Sequence, residues 1–163
     1  MSGAAIVSAL KTSGVRFVAS VPDRVTSEGV LRRVATDRDL TLVRVCKEDE
    51  GVSVCAALSY CDKRALMLMQ RTGLMDSMNM LQWVVEYELP VVMLIGLLGH
   101  ESDMAPADSP KRAISALPGV LDAVGIEHRF LHSAGDEAMI PAAIARAYAR
   151  SAPVALLVGR TPL

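Results

Sequence analysis

Two kinds of hydrophobic pattern alternate along the chain. Short unbroken runs of β-branched and aliphatic residues recur, and none of them alternates between apolar and polar positions. The runs span residues 16–21, 41–46, 65–70, 90–98, 128–131 and 153–159. Unbroken apolar strands are typical of a parallel sheet that is covered on both faces, since both sides of each strand are then buried.

Segments with a helical period lie between these runs. Apolar residues recur there at helical spacing in four groups: Ile6 and Leu10; Val30, Leu31 and Val34; Val52, Cys55, Ala56 and Ser59; Leu81, Val84 and Val85. An alanine-rich segment at 142–149 favours a further helix, and a single helix is predicted over residues 73–87. Strands that alternate with helices predict an α/β fold, doubly wound around a mostly parallel sheet of about six strands.

The composition fits one domain with an aliphatic core. The chain has 163 residues, of which 52% are hydrophobic and only 4% aromatic, so we interpret residues 1–163 as a single domain. Seventeen basic and eighteen acidic residues give a net charge of −1. A chain that binds nucleic acid normally shows a basic excess, so the balance favours a small molecule or another protein as the partner.

The cysteines and the N-terminus favour a cytoplasmic protein. Cys46, Cys55 and Cys61 are odd in number, form no Cys-x-x-Cys pair and have no histidine at zinc-ligand spacing, so we expect reduced thiols and no bound metal. The N-terminal segment lacks the basic region and apolar core of a signal peptide. The longest apolar run is far shorter than the ~20 residues that a membrane helix needs, so we expect no membrane association.

Loops that contain glycine and polar residues follow four of the predicted strands. In an open parallel sheet the carboxyl ends of the strands share one edge, where ligands bind. The loops span residues 20–23, 47–51, 70–79 and 96–111, and the last of them is long, with Met104 near its middle. Loops of this length inside a compact domain are often functional, so we expect the binding site at this edge.

Three consecutive acidic residues, Glu48, Asp49 and Glu50, lie where a strand ends and a helix begins. One interpretation is electrostatic, because a carboxylate in the first turn of a helix offsets the helix dipole by ~0.3–1 kcal/mol. The other is chemical, a carboxylate at the base of a cleft that gives or takes a proton. The loop at 70–79 matches no nucleotide-binding pattern, and His100 fits a solvated role and a site role equally well.

Six segments, taken in order, resemble the pyrimidine-binding (PYR) domain of thiamine-diphosphate enzymes. They are GVRFVASVP at 14–22, KEDEGVSVCAA at 47–57, ALMLMQRTGLMDSMN at 65–79, LPVVMLIG at 89–96, LDAVGIEHRFL at 121–131 and PVALLVGR at 153–160. More narrowly, they resemble the alpha subunit of sulfopyruvate decarboxylase and the matching half of phosphonopyruvate decarboxylase. The resemblance implies a thiamine-diphosphate-dependent decarboxylase of a 2-oxo acid. In this family a PYR-domain carboxylate hydrogen-bonds N1′ of the aminopyrimidine, and the cofactor carries the chemistry.

The resemblance also implies individual site residues. Counting back two positions from Gly51 selects Asp49 as the activating carboxylate, with Glu50 second and Glu48 third, although relatives carry three glutamates at these positions. The implied contacts are Pro22, Thr72, Gly73, Leu74 and Asn79 for the cofactor, and Arg71 and His100 for the substrate.

The fourth-strand loop departs from that of the relatives. Those that act on sulfonate- or phosphonate-bearing pyruvates carry Arg-Gly directly after the strand, where this chain has Leu98 and Gly99. Because arginine recognises anionic groups, two possibilities remain open. Another arginine holds the anionic group, or the substrate is a less charged 2-oxo acid.

The diphosphate side of the cofactor site has no counterpart in this sequence. In the family a Gly-Asp-Gly motif and a later Asn hold the diphosphate through Mg²⁺, whereas the one Gly-Asp pair here, Gly135-Asp136, is followed by Glu137. The resemblance thus implies a PP-domain beta subunit that holds Mg²⁺, in an α2β2 or larger heteromer. The alternatives are a non-catalytic structural or regulatory PYR-like subunit, which the aspartate at position 49 favours, and a stand-alone ligand-binding module.

We predict that thiamine diphosphate binds only when the partner subunit is present, because this chain lacks the Gly-Asp-Gly motif. Calorimetric titration of thiamine diphosphate and Mg²⁺ into the chain alone should detect no tight binding. Binding with a micromolar dissociation constant by the isolated chain would show that the cofactor site is not divided between two chains.

Overall fold

A six-stranded sheet forms the centre of the protein, whose computed structural model describes residues 1–101 and 103–163. Its strands are β1 (Val15–Ser20), β2 (Thr41–Arg44), β3 (Arg64–Gln70), β4 (Val92–Gly96), β5 (Glu127–Leu131) and β6 (Val154–Val158). They lie in the order β2-β1-β3-β4-β6-β5, and all neighbours are parallel. Each strand lies inside its predicted run or begins one residue before it, which confirms the predicted fold class.

Helices cover both faces of the sheet. The α-helices are α1 (Gly3–Thr12), α2 (Arg32–Thr36), α3 (Glu48–Tyr60), α4 (Arg71–Asp76), α5 (Met78–Glu86), α6 (Arg112–Ser115), α7 (Leu117–Val124) and α8 (Ile140–Arg150). A π-helical turn, Ser27–Leu31, precedes α2, and 3-10 turns span Pro106–Asp108 and Asp136–Met139. Among the described residues no helix is long and apolar enough to cross a membrane.

Alternate residues of the central strands belong to two separate hydrophobic cores. In β3, Leu66 and Leu68 pack with apolar residues of α1, α2 and α8, whereas Met67 and Met69 pack with those of α3, α5 and α7. Every residue of β4 and β6 is buried, but the edge strands β2 and β5 are partly exposed. Two-sided burial is the physical reason for the unbroken apolar runs in the sequence.

The helix predicted over residues 73–87 is wrong in one respect: it is two helices, α4 and α5. They meet at Ser77, a fully buried residue whose Oγ donates a hydrogen bond of 2.7 Å to the carbonyl oxygen of Gly73. The Ser77 N–H is shared between the carbonyls of Gly73 and Leu74, at 3.0 and 3.1 Å. A serine that bonds back to the preceding turn competes with the regular helix pattern, and apolar periodicity alone does not reveal that break.

The two ends of the chain meet beside a buried carboxylate. The Gly3 N–H donates to the carbonyl of Leu163 at 2.8 Å. Glu137 lies beneath this junction, with a carboxylate that accepts hydrogen bonds from the N–H groups of Ser2 at 2.6 Å and Gly135 at 2.7 Å. The Ser2 N–H contributes most to lowering the pKa of the Glu137 carboxyl below its usual value. An acidic residue thereby fastens the N-terminal segment to the turn before α8.

We predict that Glu137→Gln lowers the free energy of unfolding by about 1–2 kcal/mol at pH 7, because the N–H groups of Ser2 and Gly135 lose a charged acceptor. The folded-state pKa of Glu137 is depressed, so the carboxylate stabilises the fold fully above its unfolded pKa of about 4.3 and progressively less as the pH falls through the folded pKa. Chemical denaturation of both proteins between pH 7 and pH 3 measures this difference.

The control for this experiment is Glu86→Gln, which changes an exposed glutamate on α5. Its effect should be close to zero at every pH. A difference between wild type and Glu137→Gln that stays constant down to pH 3 would contradict the assigned role of the carboxylate.

Candidate active site

The loops that the sequence singles out converge on one edge of the sheet. Because all six strands are parallel, their carboxyl ends lie on the same side, and neighbouring strands are about 4.8 Å apart. The loops after β1, β2, β3 and β4 leave four consecutive strands of the order β2-β1-β3-β4. The predicted convergence of these loops is confirmed.

Asp49 and Glu50 are engaged at the start of α3. The Glu50 carboxylate accepts a hydrogen bond from the Cys46 N–H at 2.8 Å, and the Asp49 carboxylate accepts one from the Glu50 N–H at 2.9 Å. Asp49 also lies 3.6 Å from the ammonium group of Lys47. Asp49 thereby satisfies an N–H group in the first turn of α3, and Glu50 ties that turn to the residue two positions before the helix, so both acids serve the local backbone.

Glu48 reaches across to the neighbouring loop instead. Its half-buried side chain lies over Gly73 in α4, so closely that a Cβ on Gly73 would be 2.2 Å from its carboxyl carbon and from Oε1. Among the described residues its carboxylate has no hydrogen-bond or ion-pair partner. The absence of a side chain at position 73 therefore creates the space in which an uncommitted carboxylate sits between the β2 and β3 loops.

A second glycine brings α3 down onto the sheet. A Cβ on Gly51 would lie 2.4 Å from Sδ of Met67 and 3.2 Å from Cγ2 of Val45. Met67 is fully buried in β3, so only a residue without a side chain allows this approach. The close contact sets the height at which the first turn of α3, with its three acids, stands above the end of β3.

The proposed cofactor contacts lie in different environments. Thr72 is exposed in the first turn of α4, whereas Gly73 and Leu74 are buried. Pro22 is exposed and lines a cavity of about 460 Å³ at the ends of β1 and β2. Asn79 lies on α5, where it lines a shallow depression with Trp83. The structure thus groups Gly73 with Glu48 but separates Asn79 from them.

The two proposed substrate contacts both carry a buried nitrogen without a partner in the described part of the chain. In Arg71, at the end of β3, this atom is Nε. In His100 it is Nδ1, while Nε2 lies 3.1 Å from the carbonyl oxygen of Met104. Since a carbonyl only accepts, Nε2 carries the proton and Nδ1 is a lone-pair acceptor. Burial lowers the pKa of His100, which favours its neutral form.

Similar proteins are known for this chain. No family model matches the sequence. The sulfopyruvate decarboxylase alpha subunit of Methanothermobacter thermautotrophicus is 33% identical over 110 residues, 67% of this chain and 66% of that protein. The one from Methanococcus maripaludis is 32% identical over 107 residues, 65% of this chain and 64% of that protein.

The chain is a relative of the sulfopyruvate decarboxylase alpha subunits. It spans just under two thirds of the length of these relatives. Sulfopyruvate decarboxylase of Methanosarcina acetivorans is 24% identical over 155 residues, which are 94% of this chain and 38% of that protein.

Solved structures confirm the fold. Benzoylformate decarboxylase from Polynucleobacter necessarius matches 97% of this chain and 30% of its own, with a TM-score of 0.70 and 18% identity. The 2-oxoglutarate:ferredoxin oxidoreductase from Magnetococcus marinus matches 100% of this chain and 30% of its own, with a TM-score of 0.67 and 16% identity. The chain therefore shares with these two enzymes the doubly wound α/β fold expected from its sequence.

The structure brings to the carboxyl-terminal edge of the sheet further residues that the sequence did not reveal. Asp23 is buried after β1, and its carboxylate accepts hydrogen bonds from the N–H groups of Val25 at 2.5 Å and Thr26 at 2.8 Å. The spacing of Asp23 and Thr26 is a turn signal that could have revealed this. Arg24 and Arg160, far apart in sequence, line one cavity with His100, and no local pattern indicates that meeting.

We predict that alanine changes the stability of the protein differently at the two close-packed glycines. Gly51→Ala should lower the free energy of unfolding by about 1–2 kcal/mol, because the added methyl group must displace a buried side chain. Gly73→Ala should be nearly neutral for stability, since the partly exposed Glu48 side chain can swing away and alanine favours the helix by about 1 kcal/mol. Chemical denaturation measures both. Equal destabilisation by the two substitutions would contradict the assignment of Glu48 as the neighbour of Gly73.

Proposed function

We propose that this chain is the PYR-domain alpha subunit of a two-chain, thiamine-diphosphate-dependent 2-oxo acid decarboxylase. The proposal is supported by the similarity to sulfopyruvate decarboxylase alpha subunits and by the fold. The observation that carries it is the uncommitted carboxylate of Glu48 above Gly73, at the edge of the sheet where ligands bind in this class of fold.

We propose Glu48, not Asp49, as the carboxylate that activates the aminopyrimidine. Asp49 and Glu50 already accept hydrogen bonds from the backbone at the start of α3. Using either for catalysis would leave a backbone N–H group at this strand-to-helix junction without its acceptor. Glu48 has no such duty, and its half-buried carboxylate lies over Gly73 in the neighbouring loop, where it can form a hydrogen bond with the ring nitrogen N1′.

The neighbouring residues fit the pyrimidine half of the cofactor. Gly73 lets the Glu48 carboxylate lie against the backbone of α4, and the apolar Leu74 follows it in the same turn. Thiamine diphosphate supplies the electron sink that decarboxylation of a 2-oxo acid requires. Within this arrangement Glu48 holds a proton at N1′, and Arg71, whose buried Nε has no partner in the described chain, orients the substrate carboxylate.

The partner assigned by this proposal is a PP-domain beta subunit that holds the diphosphate through Mg²⁺. The chain's own groups do not suit that task. Asp136, in its one Gly-Asp pair, accepts hydrogen bonds of 2.7 Å from the N–H groups of His132 and Ser133 and so maintains a turn. No cluster of metal-ligating side chains occurs in residues 1–101 and 103–163. The heteromer is α2β2 or larger.

Exposed apolar side chains on α4 and α5 suit an interface in this assembly. Met75 and Trp83 are 42% and 49% exposed, and Trp83 stacks on Tyr87 with ring centroids 5.2 Å apart. Met78, at the start of α5, packs partly against the core. We therefore assign the subunit contact to Met75 and Trp83, while Met78 packs against the core.

We predict that Glu48→Gln reduces decarboxylation by the reconstituted alpha–beta pair by about 10²-fold or more, as removal of a positioned general acid–base group does. Asp49→Asn and Glu50→Gln, the matched controls one and two residues away, should change the rate only a few-fold. Exchange of the cofactor C2 proton with deuterated water, followed by nuclear magnetic resonance, measures activation separately from turnover. In Glu48→Gln this exchange should slow together with decarboxylation, and in the two control variants it should not.

Each other outcome identifies the part of the proposal that fails. A steep loss in Asp49→Asn with a mild effect in Glu48→Gln would keep the decarboxylase and overturn the choice of Glu48. Mild effects of all three substitutions on both rates would make the chain a non-catalytic scaffold, and the proposed mechanism would be wrong.

A further inference from the structure

The cavity that Pro22 lines, at the ends of β1 and β2, lies on the opposite face of the sheet from α3. Its volume of about 460 Å³ is within the range of ordinary small-molecule sites. Leu42 of β2 forms part of its floor and packs with the core of α1, α2 and α8. The helices that carry Glu48 and Gly73 contribute instead to the other core. The sheet therefore separates the body of this cavity from the Glu48–Gly73 contact.

Two polar side chains without partners stand side by side in this cavity. Ser20 of β1 and Arg44 of β2 are paired in the parallel register, on strands about 4.8 Å apart. Ser20 is 1% exposed, yet its Oγ forms no hydrogen bond in the described part of the chain. Arg44 forms no hydrogen bond or ion pair there either. Because a buried hydroxyl without a partner is unfavourable, the pair is suited to a ligand that supplies acceptor oxygens.

Arg44 supplies the unbalanced charge of the cavity. Glu28 and Arg32, the other charged residues among those described as lining it, form an ion pair of 2.8 Å and neutralise each other. Much of the remaining wall is apolar and includes Leu31 and Ala35. The lining thus combines one unpaired cation and one unpaired hydroxyl with an apolar wall, which matches a molecule with one negative charge and an apolar body.

A π-helical turn, Ser27–Leu31, forms one side of the cavity and is held in place by packing. The Leu31 N–H donates to the carbonyl of Thr26, five residues earlier, at 3.2 Å. A Cβ on Gly29 would lie 2.0 Å from the carbonyl oxygen of Pro162, so the C-terminal segment presses directly on this turn. Turns of this kind are rare and frequently occur at functional sites. A wall that is fixed before binding lowers the entropy that a ligand must overcome.

We propose that this cavity binds a small carboxylic acid with an apolar body, at a site separate from that of the 2-oxo acid. The carboxylate accepts hydrogen bonds from the Arg44 guanidinium group and the Ser20 hydroxyl, which the strand spacing brings within reach of its two oxygens. The apolar body packs against Leu31, Ala35 and Leu42. The inference does not rest on the proposed decarboxylase function, because its polar contacts use none of the residues proposed for catalysis.

Direct titration tests this site without any catalysis. Benzoate is added to the full chain, and the methyl signals of Leu31 and Leu42 are followed by nuclear magnetic resonance. Both should shift with saturation. Benzamide has the same body without the charge, and acetate has the charge without the body, so each should bind about 10-fold more weakly or less tightly still. Absence of saturable shifts with benzoate, or displacement of benzoate by pyruvate as the better ligand, would overturn the proposal.

Substitutions of the two polar residues identify the contacts. Arg44→Met should weaken benzoate binding about 10-fold or more, the loss expected for a charged hydrogen-bonding partner. Ser20→Ala should weaken it a few-fold without lowering the denaturant midpoint of unfolding, because the hydroxyl has no partner to lose. Arg33→Met, which changes an exposed arginine that lines a different cavity between α1 and α2, is the matched control and should leave binding unchanged.

A third substitution tests the location independently of charge. Ala35 is exposed at the wall of the cavity, so the large side chain of Ala35→Trp should fill the space and abolish benzoate binding without disturbing the core. Unchanged binding by Ala35→Trp, or equal weakening by Arg44→Met and Arg33→Met, would place the bound acid elsewhere and overturn the site.

Discussion

The close approach of α3 to the end of β3 is the constraint on which the site depends. Gly51 lets the helix settle against Met67, and Gly73 leaves the space into which the Glu48 side chain extends. A methyl group at position 51 would raise the first turn of α3, and one at position 73 would expel the carboxylate. The glycines at these two positions thus determine where the Glu48 carboxylate lies.

The composition of the sheet explains why chemistry is confined to its edge. The central strands are buried on both faces, and their inward residues are aliphatic or methionine. A charge inside such a core would be costly without a partner. The carboxyl ends of the strands are the first positions where polar side chains meet solvent and one another. Because the interior is apolar, Glu48, Arg71 and Arg24 lie together at the carboxyl-terminal edge of the sheet.

Charge at this edge is divided between structural and unpaired groups. Asp49 and Glu50 hold the start of α3, Asp23 holds the β1 loop, and Glu101 neutralises Lys111. Acids whose carboxylates satisfy local N–H or ammonium groups are tied to the fold. Of the acids named here, only Glu48, above Gly73, has a carboxylate without a partner in the described part of the chain.

The sequence by itself determined the fold and the convergence of the four polar loops on one edge of the sheet. Unbroken apolar runs follow from two-sided burial of parallel strands, and parallel strands bring their carboxyl ends together, so both conclusions need only local pattern and topology. The first turn of α3 was likewise evident, because acidic residues at a strand-to-helix junction offset the positive end of the helix dipole.

Only the tertiary structure decided which acid faces the neighbouring loop and which arginines share a cavity. Register alone ranked Asp49 before Glu48, because counting positions ignores where each side chain points around the helix and what it already binds. The break at Ser77 depends on a side-chain hydrogen bond to Gly73, which apolar periodicity does not encode. Arg24 and Arg160 line one cavity, although they follow β1 and β6, which β3 and β4 separate in the sheet. This shared lining arises from the order of the strands and leaves no trace in the local sequence.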